Sequence, residues 1–151
     1  MRVLIVYDTR SPNRNTEKVA ESIGDALRGK GAEVQCMYVK NIVPSVVGDY
    51  DCVLVGSPTQ AWRATASITR FLDSLRGYDF SGKLAAAFDT RVPWRFAGGA
   101  ARGIEKRLGK LGFRIAAPCF AAYVAGKAPV LLDGELEKAK RFAEEIARAS
   151  M

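Results

Sequence analysis

The sequence predicts a doubly wound α/β fold, in which five parallel strands lie in the order 2-1-3-4-5 with helices on both faces of the sheet. Three short segments are apolar throughout, as expected of parallel strands that are covered on both faces. Segments with helical periodicity alternate with these strands along the chain. Because crossovers between parallel strands are right-handed, this strand order is the natural arrangement.

Two of the predicted strands contain a residue that a central strand disfavours. Val34–Val39 contains Gln35, and Ile115–Val124 contains Pro118, which lacks the amide hydrogen that a central strand donates to its neighbour. We therefore place these two strands at the outside of the sheet. The three continuously apolar strands are placed at its centre, and they are Val3–Tyr7, Cys52–Val55 and Leu84–Phe88.

Four helices are predicted between and after the strands, each with one apolar face. Asp133 is a candidate N-cap for the last helix. The segment from residue 41 to 47 is broken by Pro44 and is too short for more than a turn or two. The apolar positions are Val19, Ile23, Ala26 and Leu27 in the first helix, Ile68, Phe71, Leu72 and Leu75 in the second, Ile104, Leu108 and Leu111 in the third, and Leu136, Ala139, Ala143 and Ile146 in the last.

The length of 151 residues fits a single domain, residues 1–151, which is long enough to bury a core. No apolar run reaches the ~18 residues of a membrane span. The sequence enters the first strand directly after Met1-Arg2, without the pattern of a signal peptide. These features predict a cytoplasmic protein with no membrane span.

The sequence offers few side chains for catalysis. It contains no histidine, which excludes Ser-His-Asp and Cys-His nucleophiles and removes the commonest ligand of transition metals. Cys36, Cys52 and Cys119 lie far apart in apolar stretches and are interpreted as reduced core thiols. We therefore expect no metal site and no catalytic side chain, and we expect a bound cofactor to supply any chemistry.

The net charge of +7 raises the question of an anionic partner. The 23 Lys and Arg residues are scattered among 16 acidic residues without a dense basic run. A solvated basic surface is therefore the favoured interpretation, and no nucleic-acid partner is expected. An acidic partner protein or an anionic ligand is the alternative.

The loop after the first strand, residues 8–16, is rich in hydrogen-bond donors and leads into a helix that begins near Asn15 or Thr16. Ligands of such sheets bind beyond the carboxyl ends of the strands, where the free amides of a helix N-terminus can hold a phosphate monoester. Arg10 and Arg14 would add positive charge. The motifs of nucleoside-triphosphate and dinucleotide loops are missing. The alternative is a polar turn in which Asn15 only caps the helix.

The segment VLIVYDTRSPNRNTEKVA, residues 3–20, resembles the flavodoxin signature of a strand, a phosphate loop ending in Asn-Thr, and a helix. Compared with that signature, Pro12 and Asn13 enlarge the loop by two residues, and Arg14 replaces the usual glycine. The resemblance implies FMN as the cofactor and a flavodoxin-like form of the predicted sheet. The residues that it implies as ligands of the FMN phosphate are Thr9, Ser11, Asn15 and Thr16, with Arg10, Asn13 and Arg14 beside them.

The second loop, GSPTQAWRA at residues 56–64, resembles the flavodoxin turn that contacts the ribityl chain and the edge of the flavin. Trp62 is the first candidate to stack on the flavin ring, because an indole gains dispersion and buried apolar area on a flat aromatic surface. The alternative is a tryptophan that closes the loop over the core. The candidate contact residues of this loop are Ser57, Pro58, Thr59, Gln60, Ala61 and Trp62.

The third loop, DTRVPWRFAGG at residues 89–99, corresponds by this resemblance to the loop that holds the pyrimidine end and the N5 edge of the flavin. Trp94 is the second candidate for stacking. Arg91 and Arg95 are placed either near the N1–C2=O edge of the ring or in solvent as ordinary loop arginines. The candidate contact residues of this loop are Asp89, Thr90, Arg91, Trp94, Phe96 and Gly98.

An FMN-binding electron carrier of flavodoxin type, with redox proteins as partners, is the leading functional prediction. Acidic partners belong to the alternative interpretation of the net charge. The alternative is an enzyme, either an FMN-dependent NAD(P)H:quinone-type reductase or a protein like the flavodoxin-related protoporphyrinogen oxidases. A flavin-free binding module is a third possibility. A phosphorylatable receiver domain is excluded, because it needs an aspartate at the end of the third strand, where this chain has Gly56-Ser57-Pro58.

Overall fold

One sheet with helices on both faces forms the framework of residues 1–93 and 99–151, the part of the chain that the computed structural model describes. Short 3₁₀ segments at Val39–Asn41 and Pro44–Asp49 follow the second strand. In chain order the elements are β1 (Arg2–Tyr7), α1 (Asn15–Arg28), β2 (Glu33–Tyr38), β3 (Cys52–Pro58), α2 (Ala66–Ser74), β4 (Leu84–Arg91), α3 (Ala100–Lys110), β5 (Arg114–Ile115), β6 (Phe120–Ala125), β7 (Val130–Leu131) and α4 (Glu135–Ala149).

The predicted α/β architecture and strand order are confirmed, with extra strands at one edge. The order is β2-β1-β3-β4-β6-β7, and every pairing is parallel except that of β6 with β7. The predicted fifth strand is divided around Pro118 into β5 and β6, which pair with opposite ends of β4. Because proline has no amide hydrogen to donate, the division falls where a continuous ladder would lose a hydrogen bond. β7 was not predicted from the sequence.

Alternate side chains of each central strand pack into two separate hydrophobic cores, one on each face of the sheet. Val3 and Ile5 of β1 face α1 and α4, whereas Leu4 and Val6 face α2 and α3. All four side chains are fully buried. Since burying one such side chain stabilises the fold by about 1.5–3 kcal/mol, this two-sided burial explains why the strands are apolar throughout.

The last helix differs from its prediction in two respects. Leu136 was predicted to face inward but is 41% exposed, and Phe142, which the periodic pattern omitted, is buried and stacks on Phe120 with ring centroids 5.3 Å apart. The prediction of Asp133 as N-cap is also wrong. Gly134 holds that position with φ of 85°, a left-handed conformation that glycine adopts without steric cost.

The three cysteines remain thiols. Burial raises the pKa of Cys36 to about 12 and that of Cys52 to about 12, so both thiols stay protonated at neutral pH. Across residues 1–93 and 99–151, none of the helices combines the length and the apolar character needed to cross a membrane.

Gly56 at the end of β3 marks a close approach of backbone and side chain. A β-carbon at this position would overlap the ring of Phe88, which is fully buried in the neighbouring strand β4. Glycine is therefore required here by packing.

We predict that Gly56→Ala lowers the free energy of unfolding by about 1–3 kcal/mol, the usual cost of overpacking a core. Gly103→Ala is the control, because a β-carbon at Gly103, inside α3, meets no atom within 4 Å. Alanine is the better helix former, so this control should be neutral or stabilising by up to about 1 kcal/mol. Urea unfolding of both variants measures the difference, and equal stability of the two would contradict the packing argument.

Candidate functional site

A pocket lies at the carboxyl edge of the sheet, where β1, β3 and β4 end. Its volume of about 440 Å³ falls within the usual range of small-molecule sites. The lining residues come from all three predicted loops and from the end of β6 with the connection that follows it. They are Thr9, Arg10, Ser11, Asn15, Thr16, Pro58, Thr59, Gln60, Ala61, Trp62, Thr90, Arg91, Val92, Val124 and Pro129.

Not every residue predicted for the site reaches the wall of this pocket. Asn13 and Arg14 lie beside it, and the fully buried Ser57 and Asp89 do not line it. The part of the third loop that carries the second stacking candidate cannot be compared with the structure. Trp94, Arg95, Phe96 and Gly98 lie outside the described residues.

Three lining residues were missed by the sequence prediction. Val92 follows β4, Val124 lies near the end of β6, and Pro129 belongs to the connection between β6 and β7. Val124 could have been predicted from the sequence, because it ends the last predicted strand and ligands of such sheets contact the carboxyl ends of the strands. Pro129 had no such signal, since the hairpin that brings it to the pocket was not predicted.

The N-terminus of α1 contributes unused hydrogen-bond donors to the pocket. Arg14 is the N-cap, with φ of 51° and ψ of 49° and no side-chain cap. The first helical hydrogen bond runs from the Lys18 amide to the Arg14 carbonyl, so the amides of Asn15 and Thr16 have no acceptor within the helix. The hydroxyl oxygen of Thr9 is also buried, and it has no partner in the described residues. Asn15 therefore does not cap the helix, because Arg14 holds the N-cap position.

A buried carboxylate holds the first loop against the start of α2. Asp8 is fully buried and accepts hydrogen bonds from the Thr9 amide at 2.8 Å and from the Thr65 hydroxyl at 2.6 Å. The Arg10 guanidinium donates to Asp8 at 3.2 Å and to the Ser67 hydroxyl at 3.2 Å. Asp8 is thus paired with the guanidinium of Arg10, whose side chain is 41% exposed.

Two asparagines tie the same loop to the connection between β6 and β7. The amide nitrogen of Asn13 donates to the carbonyl oxygens of Ala128 at 3.2 Å and Pro129 at 2.8 Å. That of Asn15 also donates to the Pro129 carbonyl, at 2.8 Å. These amides therefore fix one wall of the pocket.

Trp62 lies on a tight hairpin turn at the mouth of the pocket. Gln60 and Arg63 exchange backbone hydrogen bonds of 2.8 and 2.9 Å, and the two residues between them, Ala61 and Trp62, have φ of 47° and 66°. Positive φ at both central residues is the pattern of a type I′ turn, in which asparagine and glycine are usual. Trp62 is 57% exposed, so the alternative of a tryptophan closing over the core is wrong.

Asp89 caps the next helix on the far side of the pocket. It is fully buried and accepts a hydrogen bond of 2.9 Å from the Ala101 amide, while Thr59 accepts one of 3.1 Å from the Ala100 amide. The Arg91 side chain forms an ion pair with Asp89 at 3.6 Å. Burial raises the pKa of Asp89, and the contacts with Ala101 and Arg91 offset this effect only in part.

Direct hydrogen bonds connect the three loops. The hydroxyl groups of Thr16 and Thr90 lie 2.8 Å apart, and the Thr59 amide donates to the Thr90 carbonyl at 2.9 Å. Thr16 and Thr90 are both buried. The predicted convergence of the three loops is thus present in the structure.

The fold and the pocket together define an α/β protein with a flavodoxin-like fold and a pocket at the carboxyl edge of its sheet. Flavodoxin 1 from Bacillus cereus superimposes with a TM-score of 0.84 over 98% of both chains, at 20% sequence identity. A flavodoxin is likewise found among the proteins related in sequence. The flavodoxin of Aquifex aeolicus is 34% identical over 97 residues, which cover 62% of this chain and 51% of that protein.

An enzyme is also among the similar sequences. An NAD(P)H dehydrogenase (quinone) of Paraburkholderia phymatum is 30% identical over 111 residues, which cover 58% of this chain and 55% of the enzyme. The chain thus spans about half the length of these two curated relatives. No family model matches the sequence. The resemblance to flavodoxins is confirmed by both sequence and structure.

We predict that Ala61→Gly stabilises the protein by about 0.5–1 kcal/mol, because glycine removes the steric cost of a positive φ. Ala26→Gly is the control, since Ala26 lies inside α1 and glycine there should destabilise the protein by about 1 kcal/mol. Thermal unfolding of both variants measures the effect. Destabilisation of similar size in both would contradict the assigned turn.

We predict that Asp89→Asn becomes progressively more stable relative to the wild type as the pH rises above 3.8, the usual pKa of an aspartate. A group whose pKa is raised in the folded state stabilises the protein at low pH, and this stabilisation is lost as the pH rises through the raised pKa. Asparagine does not titrate, so it removes this pH dependence. Its side-chain oxygen can still accept the hydrogen bond from the Ala101 amide. Asp79→Asn is the control, and its stability relative to the wild type should change with pH in the opposite direction. Hydrogen bonds from Ser81 lower the pKa of exposed Asp79, so this variant should lose relative stability with rising pH.

Denaturant unfolding of both Asp→Asn variants and the wild type at several pH values measures these trends. A stability difference for Asp89→Asn that does not change with pH would contradict the raised pKa.

Proposed function

We propose that the protein binds FMN in the pocket at the carboxyl edge of its sheet and carries electrons between redox proteins. The likeness to flavodoxins, whose members bind FMN, supports this function. One structural observation carries the proposal. A single pocket has unused hydrogen-bond donors at the start of α1 and an exposed indole, that of Trp62, on another wall.

The first of these features suits the phosphate of FMN. A phosphate monoester accepts hydrogen bonds, and the amides of Asn15 and Thr16 and the hydroxyl of Thr9 are donors without a partner in the described residues. The dipole of α1 would add about 0.3–1 kcal/mol for an anion at its N-terminus. Because Arg10 is already paired with Asp8, neutral donors would supply most of the recognition.

The second feature suits the flavin ring. Stacking of an aromatic ring on the indole of Trp62 would contribute about 0.5–1.5 kcal/mol beyond the burial of apolar area. The I′ turn holds this indole at the mouth of the pocket. FMN would supply the redox chemistry when bound, and the protein would hold, orient and partly shield it.

The lining of the pocket supports an electron carrier more than an enzyme. Among the described residues it contains no aspartate or glutamate, and the sequence contains no histidine. The carboxylates nearest to the pocket, Asp8 and Asp89, are fully buried and engaged in hydrogen bonds. No described lining group is therefore suited to general acid–base catalysis in the way that carboxylates and histidines are.

The partners and the location follow from general properties of the chain. We propose that it is a single domain that exchanges electrons with acidic redox proteins, as its net charge of +7 favours. Its three free thiols suit a reducing compartment, and this supports a cytoplasmic location.

An FMN-dependent NAD(P)H:quinone reductase is the second candidate, and the similarity to the NAD(P)H dehydrogenase (quinone) favours it. A steady-state assay with NADPH and a soluble quinone, using protein loaded with FMN, separates the two functions. Sustained turnover without a partner protein would establish the enzyme. Absence of turnover, together with electron exchange with a partner protein, would establish the carrier.

We predict that the protein binds FMN, with a visible absorption spectrum of bound flavin and quenched flavin fluorescence. Thr9→Val should weaken binding about 10-fold or more, since a hydrogen bond to a charged group is worth about 1.5–3 kcal/mol. Trp62→Ala should weaken it about 2- to 10-fold. Because the Thr9 hydroxyl has no hydrogen-bond partner in residues 1–93 and 99–151, Thr9→Val should not destabilise the FMN-free protein.

Thr69→Val and Tyr78→Ala serve as matched controls. Thr69 lies on α2 and Tyr78 is an exposed aromatic residue, and neither lines the pocket. Titration of FMN fluorescence with each variant gives the dissociation constants. The proposal would be contradicted by a wild-type protein that does not bind FMN, or by controls that weaken binding as much as the pocket variants do.

A further inference from the structure

The charged residues in the segments that border the pocket are all basic. Four described segments border the pocket, residues 9–14, 59–64, 91–93 and 126–130, and together we call them the pocket rim. The pocket rim contains basic residues in every segment and no aspartate or glutamate, although the chain as a whole has 16 acidic residues. Its basic residues are Arg10, Arg14, Arg63, Arg91 and Lys127.

Three of these basic residues form ion pairs within the chain, and the other two form none with the described residues. Arg10 and Arg91 pair with the buried Asp8 and Asp89, as described above, and Arg14 forms an ion pair of 3.6 Å with Glu17. Arg63 and Lys127 are both exposed, and neither forms an ion pair with any residue that the structure describes. Positive charge therefore faces solvent on two sides of the pocket.

The pocket rim also exposes apolar side chains. Trp62, Val92 and Val130 are 57%, 50% and 53% exposed, and each lies in a different segment of the rim. Protein-binding surfaces usually have an apolar centre surrounded by polar and charged residues. Such a surface needs only a modest area for a transient redox encounter.

The opposite end of the sheet has a different composition. The connections there, residues 29–33, 49–51, 77–83 and 111–114, mix both signs of charge. The basic excess of the pocket rim is therefore a local property and does not simply reflect the net charge. The charged residues of the opposite end are Glu33, Asp49, Asp51 and Asp79 with Lys30, Lys83 and Arg114.

We propose that the pocket rim is a docking surface for an acidic patch on a redox partner protein. The inference rests on the proposed function, because a partner on this rim would lie against the mouth of the flavin pocket. Arg63 and Lys127 attract the partner and orient it, while Trp62, Val92 and Val130 form the apolar centre of the contact. Charge complementarity of this kind mainly accelerates association, and salt weakens it.

The docking test uses the FMN-free protein, so that it does not depend on the flavin. Isotope-labelled protein is titrated with an acidic plant-type [2Fe–2S] ferredoxin, a basic cytochrome c and a short DNA duplex, with backbone amide signals observed by NMR. The acidic ferredoxin should perturb amides of the pocket rim at ~0.01 M ionic strength and lose most of its affinity at ~0.5 M. Equal or tighter binding of cytochrome c or DNA to the rim would overturn the proposal.

A pair of double variants tests the assigned residues. Arg63→Glu with Lys127→Glu should weaken ferredoxin binding about 10-fold or more at low salt. Lys30→Glu with Lys110→Glu changes the net charge equally, at exposed positions near the opposite end of the sheet, and should weaken it less than about 3-fold. Equal weakening by both pairs would overturn the proposal.

FMN titrations of the same variants separate this inference from the proposed function. None of the four substituted residues lines the pocket, so FMN affinity should change little in either double variant. Normal FMN binding without ferredoxin docking would overturn the docking surface alone. Docking without FMN binding would overturn the proposed function and leave the surface as a protein-binding site.

Discussion

The geometry of the pocket depends first on the buried carboxylate of Asp8. A buried charge is costly unless hydrogen bonds compensate for it, and Asp8 receives them from the Thr9 amide, the Thr65 hydroxyl and the Arg10 side chain. These donors belong to the loop after β1 and to the start of α2. One fully buried group thus fixes the position of two of the three loops that form the pocket.

A second buried carboxylate has the corresponding role at the end of β4. Asp89 and Thr59 accept hydrogen bonds from the first amides of α3, and the Thr65 hydroxyl caps α2. The protein itself therefore supplies acceptors at the N-termini of α2 and α3. The N-terminus of α1 has no side-chain cap and opens on the pocket. The first amides of α1 are thus left available for an anionic acceptor, whereas those of α2 and α3 bond to acceptors within the protein.

The same arrangement affects the electrostatics of the site. Both described arginines that line the pocket, Arg10 and Arg91, are paired with buried aspartates, so a ligand would meet mainly neutral donors within it. Further out lie the exposed Arg63 and Lys127, which form no ion pair within the described part of the chain. The charged residues assigned to the attraction of a partner protein, Arg63 and Lys127, thus differ from the residues assigned to the cofactor, whereas Trp62 is assigned to both.

Sequence patterns by themselves determined the fold class, the strand order, the apolar faces of the first three helices and the convergence of three loops, because these follow from local periodicity and from general rules for parallel sheets. Tertiary structure decided the inward position of Asp89, the exposure of Leu136 and the division of the last predicted strand. It also decided the hydrogen-bond partner of the Asn13 side-chain amide, which donates to the Pro129 carbonyl 116 residues away in the chain. The physical reason is that a polar side chain takes whichever partner the fold brings within about 3 Å, and local sequence carries little information about partners so distant along the chain.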